Sequence, residues 1–205
     1  MNLEKQKRTQ KYFEWLYRVG LKPWVWQGRE PALDDFFQLL LEKHSKAKVL
    51  DIGCGNGWIS VKVAKKGIEV WGIDSSETAI REAKEIAEKV GVDKITHFQV
   101  GDALDLPYQN KFFDALIDRG LLHHILPENR LLYFQNILRV LKPKSLMYLT
   151  VFSTKNLRFI GQLFSPKIVK ELFNPHFDII YFSQDLYPPI ALTHLLHFTM
   201  ERKGS

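Results

Sequence analysis

The stretch VLDIGCGNG, residues 49–57, sets three branched aliphatic side chains (Val49, Leu50 and Ile52) directly before three glycines, Gly53, Gly55 and Gly57. Such a run predicts a buried strand that turns sharply into a helix starting near residues 56–58. Glycine lets ligand atoms reach the backbone amides, and the helix start is expected to point free amides and a partial positive charge into the same space, which suits a carboxylate or phosphate. The spacing departs from the dinucleotide pattern G-x-G-x-x-G, because Trp58 fills the third glycine position. Asp51, beside the loop, repels a pyrophosphate and attracts an ammonium group. A ligand carrying an amino acid satisfies both charges.

Residues 68–73 (IEVWGI) read as the next strand and end at Asp74, where a parallel sheet places an acceptor for ribose hydroxyls. Ser75 or Ser76 can cap the following helix, whose apolar positions Ile80, Ala83, Ala87 and Val90 recur at helical spacing. A further strand, residues 95–100, leads into Gly101, Asp102 and Ala103. Asp51, Asp74 and Asp102 then fall along one sheet edge, at the crevice where open α/β folds bind ligands. Any one of them alone also reads as a helix cap. Strands at residues 112–117 and 145–152 flank a helix at residues 127–141, with Pro127 in its first turn. Phe134, Leu138 and Leu141 form its apolar stripe, and Lys142 and Pro143 stop it. This alternation predicts one doubly wound α/β domain without internal repeats, and 205 residues suffice for a single core.

Across residues 46–150 these motifs, in this order, resemble a class I S-adenosylmethionine-dependent methyltransferase. The resemblance implies a Rossmann-like, mostly parallel seven-stranded sheet with helices on both faces. Residues 177–182 and 193–200 supply its final pair of strands, the last antiparallel. Residues 1–45 are expected as a helical cap over the cofactor site, and 46–205 as the methyltransferase core. The implied cofactor is S-adenosyl-L-methionine, released as S-adenosyl-L-homocysteine. Gly53, Cys54 and Gly55 line its methionine moiety beside Asp51, Asp74 with Ser75 holds the ribose, and Asp102 with Ala103 contacts the adenine. Family members often carry Pro-Gly-Gly where this chain has Pro143-Lys144-Ser145, expected here as a surface turn.

PWVWQGREPAL, residues 23–33, resembles the proline-tryptophan, glycine and proline pattern of thiopurine methyltransferase-like and tellurite-resistance-type enzymes. Asp118-Arg119-Gly120 resembles the same group, which puts Asp118 and Arg119 among the expected cofactor contacts, although the position after Pro-Trp, acidic in most such sequences, is Val25. That subgroup methylates small nucleophiles: thiols, halide, selenium or tellurium oxyanions, and quinol-like hydroxyls. By this resemblance Trp24 and Trp26 help close the site, where an aromatic face gains roughly 0.5–2 kcal/mol from a sulfonium. A hydrophobic staple is the other reading of that pair. Trp15 and Trp71 are spaced like core residues.

Methyl transfer from a sulfonium is an in-line displacement that needs alignment and exclusion of water more than covalent machinery. An ionised acceptor needs no base, and Arg119 can hold its charge or the cofactor's carboxylate. For a phenol, Asp118, His123 or His124 can take the proton. His44, His97, His176, His194 and His197 lack metal-ligand spacing, and no metal is expected.

Cys54 is the single cysteine, so no disulfide can form within the chain, and a reducing, cytoplasmic setting is expected. Lys5, Lys7, Arg8 and Lys11 precede no apolar core of a secretory signal, and no apolar run spans a bilayer. The expected partner is a small-molecule acceptor, with no membrane partner and a monomeric chain. The net charge of +6 is spread along the chain without an RNA-binding motif, so nucleic acid is not expected. The Asp/Asn-Pro-Pro-aromatic loop of nucleic-acid amino-methyltransferases is missing after the fourth strand, and Tyr187-Pro188-Pro189 lies on another connection. Two alternatives stand beside the small-molecule enzyme: an RNA or protein methyltransferase, and a non-catalytic cofactor-binding regulatory subunit.

Overall fold

Period-2 alternation in the first strand explains the layering. In the computed structural model, which describes residues 2–24, 30–156, 161–187 and 193–204, β1 (Lys48–Ile52) sends Val49 to one face of the sheet and Leu50 and Ile52 to the other. The remaining strands are β2 (Glu69–Asp74), β3 (Thr96–Val100), β4 (Phe113–Arg119), β5 (Leu141–Phe152), β6 (Phe177–Tyr187) and β7 (Thr193–Arg202). They form one seven-stranded sheet in the order β3-β2-β1-β4-β5-β7-β6. β1 to β5 are paired in parallel, and β7 runs antiparallel between β5 and β6.

The helices are α1 (Leu3–Arg18), α2 (Pro31–Lys43), α3 (Trp58–Ala64), α4 (Glu77–Val90), α5 (Arg130–Val140) and α6 (Pro166–Phe173). α2, α3 and α4 cover one face through Phe36, Val63 and Ala83; α5 and α6 cover the other through Ile137 and Phe173. Helices thus cover both faces of the central strands, and the edge where β1, β2 and β4 end is where an open α/β sheet takes its ligand.

α1 crosses that edge. Glu14 accepts hydrogen bonds from the Ser76 hydroxyl (2.6 Å) and from the Thr78 amide and hydroxyl (3.2 and 2.8 Å), so it clamps α1 onto the start of α4. Ser76 itself caps α4 through the Ala79 amide. Gln6 fastens the other end of α1 to the loop after β4, donating to the His124 carbonyl and accepting from the Leu126 amide. Partial burial opposes ionisation of Glu14, but hydrogen bonds from Ser76, Thr78 and Arg18 hold its pKa down to about 2. A depressed carboxyl pKa stabilises the fold above the unfolded value, and that stability is lost as pH falls toward 2. Glu14→Ala is expected to cost about 1–2 kcal/mol in chemical denaturation at pH 7. The difference from the parent chain should shrink steadily between pH 5 and pH 2.

Three local expectations differ from the structure. Trp15 is 52% exposed, because its position on α1 faces away from the buried Gln6, Leu16 and Tyr17. Trp71, by contrast, packs against the core. Pro143, Lys144 and Ser145 are not a surface turn but part of β5, where a register shift against β4 absorbs Lys144 at φ 63°. The 127–141 helix opens as a 3-10 turn at Pro127–Asn129, and α5 proper ends at Val140.

Candidate active site

The 49–57 loop turns as its glycines predict, with φ of +71°, +55° and +72° at Gly53, Gly55 and Gly57. A side chain at Gly55 would strike the Tyr17 hydroxyl of α1, and one at Gly57 would come within 2.7 Å of Phe98. The expectation that the loop and helix present free amides is corrected in part. Gly53 and Cys54 donate to the Ile73 carbonyl (2.8 and 3.1 Å), Gly55 donates to Asp74 (2.9 Å) and Gly57 to the Cys54 carbonyl (3.0 Å). α3 has only seven residues, so the site's character comes from side chains around the loop.

Those side chains line a cleft of about 860 Å³ bounded by α1, the glycine loop, the ends of β2 and β4, and Thr150 and Phe152 of β5. This volume lies within the range of small-molecule and cofactor sites. Asp51 is buried and accepts from the Ser60 hydroxyl at 2.6 Å. Burial, followed by the charges of Asp74 and Asp118, outweighs Ser60 and Arg119 and lifts its pKa to about 7. Asp74 accepts from the Gly55 and Ser76 amides, one to each carboxylate oxygen, and its pKa is also raised by burial. Asp102 accepts from the Leu104 amide and from Gln10 of α1, both at 2.9 Å. Ser75, Ala103 and the buried Cys54 also border the cleft. Burial pushes the Cys54 thiol well up, so it is no nucleophile.

Asp118 and Arg119 part company because adjacent strand residues face opposite ways. Asp118 is buried on the α5 side, accepting from Tyr133 (2.6 Å) and the Leu121 and Leu122 amides (2.8 and 3.2 Å). It does not border the cleft among the described residues, which corrects its place among both the catalytic and the cofactor-binding candidates. Arg119 does border the cleft, where it pairs with Glu30, the buried residue before α2, and lies 5.3 Å from the Trp58 ring. Its charge is thus met by Glu30.

His123 is 3% exposed, with its ring 4.0 Å from Phe152 and 4.3 Å from His124, centroid to centroid. Its Nδ1 is buried and has no hydrogen-bond partner among the described residues, and burial first, then His124 and Arg119, keep the ring neutral. His124 packs against Phe13 and is lowered to about 4 by burial. Trp24 borders the cleft, donates to the Tyr17 hydroxyl (3.2 Å) and meets Phe13 edge to face. Trp26 lies outside the described residues, as do Pro188 and Pro189.

Sequence reading passed over Gln10, Glu14, Tyr17 and Glu30. Their only signal was polarity beside apolar helical positions, which is also what an ordinary surface helix shows.

Comparison with known proteins came to the same place. Residues 43–187 match the family described as "Methyltransferase domain". Norajmaline N-methyltransferase of Rauvolfia serpentina is 31% identical over 128 residues, 60% of this chain and 43% of that protein. The chain spans 40–43% of the length of the curated relatives it matches. Among solved structures, Burkholderia thailandensis 1,6-didemethyltoxoflavin-N1-methyltransferase, with 1,6-didemethyltoxoflavin and S-adenosylhomocysteine bound, superposes with a TM-score of 0.82. That match is 22% identical and covers 99% of this chain and 91% of that one. The [4+2]-cyclase SpnF has the same fold, with a TM-score of 0.75, 17% identity and coverage of 98% and 97%. A fold that hosts both reactions fixes the architecture alone. The match over residues 43–187 goes further: the chain belongs to the methyltransferase domain family.

Proposed function

We propose that this chain transfers the methyl group of S-adenosyl-L-methionine to a small, uncharged acceptor bearing an N–H, O–H or S–H. The observation that carries the reading is the convergence of Asp51, Asp74 and Asp102 on one cleft, around a loop whose glycines bring it close to ligand. Asp51 would pair with the ammonium of the methionine moiety, Asp74 would accept from the ribose hydroxyls, and Asp102 with Ala103 would border the adenine. The bound cofactor supplies a methyl group on a positively charged sulfur that leaves as a neutral thioether. The protein's own task is to align the acceptor and exclude water.

Charge narrows the acceptor. Arg119 is neutralised by Glu30 and Lys22 by Glu82, while three aspartates border the same cleft. With both of these cations already paired, the described side chains offer a metalloid oxyanion or halide little counter-charge, whereas neutral phenols, thiols and amines need none. This keeps the quinol-like and thiol acceptors implied by residues 23–33 and adds nitrogen acceptors, since two of the similar proteins are named as N- and N1-methyltransferases.

As the acceptor's bond to the methyl carbon forms, its proton must leave. His123, whose ring borders the cleft and stays neutral, is the side chain we assign to accept it. His123→Phe, which keeps the ring packing on Phe152, should lower kcat by about 10²–10⁴-fold and leave affinity for S-adenosylhomocysteine within about threefold. Unchanged kcat would remove the base from the mechanism. The reading itself is tested with methyl-labelled S-adenosylmethionine offered with small thiols, phenols, amines, metalloid oxyanions and bulk RNA. Label in a small neutral acceptor supports it, and label only in RNA overturns the acceptor class. Cofactor binding without any transfer would indicate a regulatory subunit.

A further inference from the structure

We infer that the outer face of α1 docks on an anionic membrane surface, placing the mouth of the cleft against the lipid headgroups. This inference is independent of the reaction assigned to the cleft. Tyr12, Trp15, Val19 and Leu21 are 56%, 52%, 49% and 56% exposed. Tyr12 and Trp15 stack at 6.1 Å with an interplanar angle of 26°. Arg8, Lys11, Trp15 and Val19 follow one another at spacings of three and four residues, so they share one stripe, opposite the buried Gln6, Leu16 and Tyr17.

Single exposed apolar residues on a protein surface mean little. Here they are contiguous, two of them aromatic, and interleaved with cations. Lys5, Lys7, Arg8 and Lys11 are all exposed, and none makes an ion pair among the described residues. Arg18, by contrast, is paired with Glu14, and Glu4 is the one exposed acid on α1. A helix with basic and Trp/Tyr/aliphatic side chains on one outward face has the composition of an interfacial helix, whose rings settle at headgroup level while the cations meet anionic lipid. The aliphatic Val19 and Leu21 favour this over RNA, since base stacking uses aromatic rings and cations only.

The location adds the second argument. Tyr12 and Leu21 border the cleft as well as being exposed, so the apolar rim runs from the outer face into the mouth. An amphipathic acceptor could pass from bilayer to cleft along it without crossing water.

The test is sedimentation of the full chain with vesicles of phosphatidylcholine alone and of phosphatidylcholine with one quarter phosphatidylglycerol. The expected result is binding to the anionic vesicles only, reversed by high salt. Lys7→Glu, Arg8→Glu and Lys11→Glu together should weaken it on the order of a hundredfold. Trp15→Ser with Val19→Ser should also weaken it at constant charge. All these side chains are exposed, so an unchanged Tm and unchanged S-adenosylhomocysteine affinity serve as fold controls. Absence of binding to both vesicles overturns the inference, as does binding insensitive to the substitutions. So does a basic face that retains bulk RNA in a gel-shift assay while ignoring vesicles.

Discussion

Asp74→Ala is expected to raise the Kd for S-adenosylhomocysteine on the order of a hundredfold or more. Each carboxylate oxygen already accepts one backbone amide, Gly55 on one side and Ser76 on the other, and keeps lone pairs open toward the cleft. Two charge-assisted hydrogen bonds to vicinal hydroxyls are each worth about 1.5–3 kcal/mol, so their loss alone gives the expected change. Asp74→Asn is not a mild substitute. One of its two terminal atoms becomes an NH₂, which would face the Gly55 or Ser76 amide donor to donor. Calorimetric titration with S-adenosylhomocysteine and with its 2′-deoxy analogue separates this from general damage to the loop. The parent chain should prefer the full ribose, whereas the Asp74→Ala chain should bind both equally weakly. A surviving preference for the 2′-hydroxyl would place the ribose elsewhere.

Asp74 was legible in the sequence because it ends an apolar run that only a buried strand explains, and β2 ends there. Asp51, read as the acid beside the glycine loop, and Asp102, read just beyond the third strand, also border the cleft. Sequence reading misplaced Asp118, since a strand's end tells which residues reach the edge but not which way each one faces. That direction is fixed by register against β1 and β5, which sends Asp118 to Tyr133 and Arg119 to Glu30. Trp15 was misread for a related reason. α1 is strongly basic and carries aromatic side chains around much of its circumference, so spacing does not identify its inner face. Tertiary partners decide it, through Glu14 on Ser76 and Thr78 and Gln6 on the loop after β4. The glycine loop was readable in position but not in hydrogen bonding, because its amides are consumed by Ile73 and Asp74, some twenty residues further along the chain.

Asp51 supplies an effect of opposite sign on folding and on binding, and the opposition makes it testable. Burial raises its pKa from 3.8 to about 7, so the folded chain holds a proton there that the unfolded chain has released. The group's contribution to stability is therefore complete below the unfolded value and is lost as pH rises through about 7. Pairing with a ligand ammonium requires the opposite, an ionised carboxylate. Below pH 7 the ligand must first expel a proton, and its apparent affinity falls toward tenfold per pH unit. S-adenosylhomocysteine should accordingly bind about ten times more weakly at pH 6 than at pH 8. Its thermal stabilisation of the chain should grow with pH even as Asp51 tends to make the free chain less stable. Asp74, which burial also raises, is the other cleft carboxylate able to add to this slope, and the Asp51→Asn variant separates the two. His124 titrates near 4 and His123 stays neutral, while Asp118, near 6, faces away toward Tyr133. Asp51→Asn should hold affinity near its low-pH level at every pH and flatten the profile. A slope that persists in that variant would take the ammonium away from Asp51 and with it the assignment of the methionine end of the site.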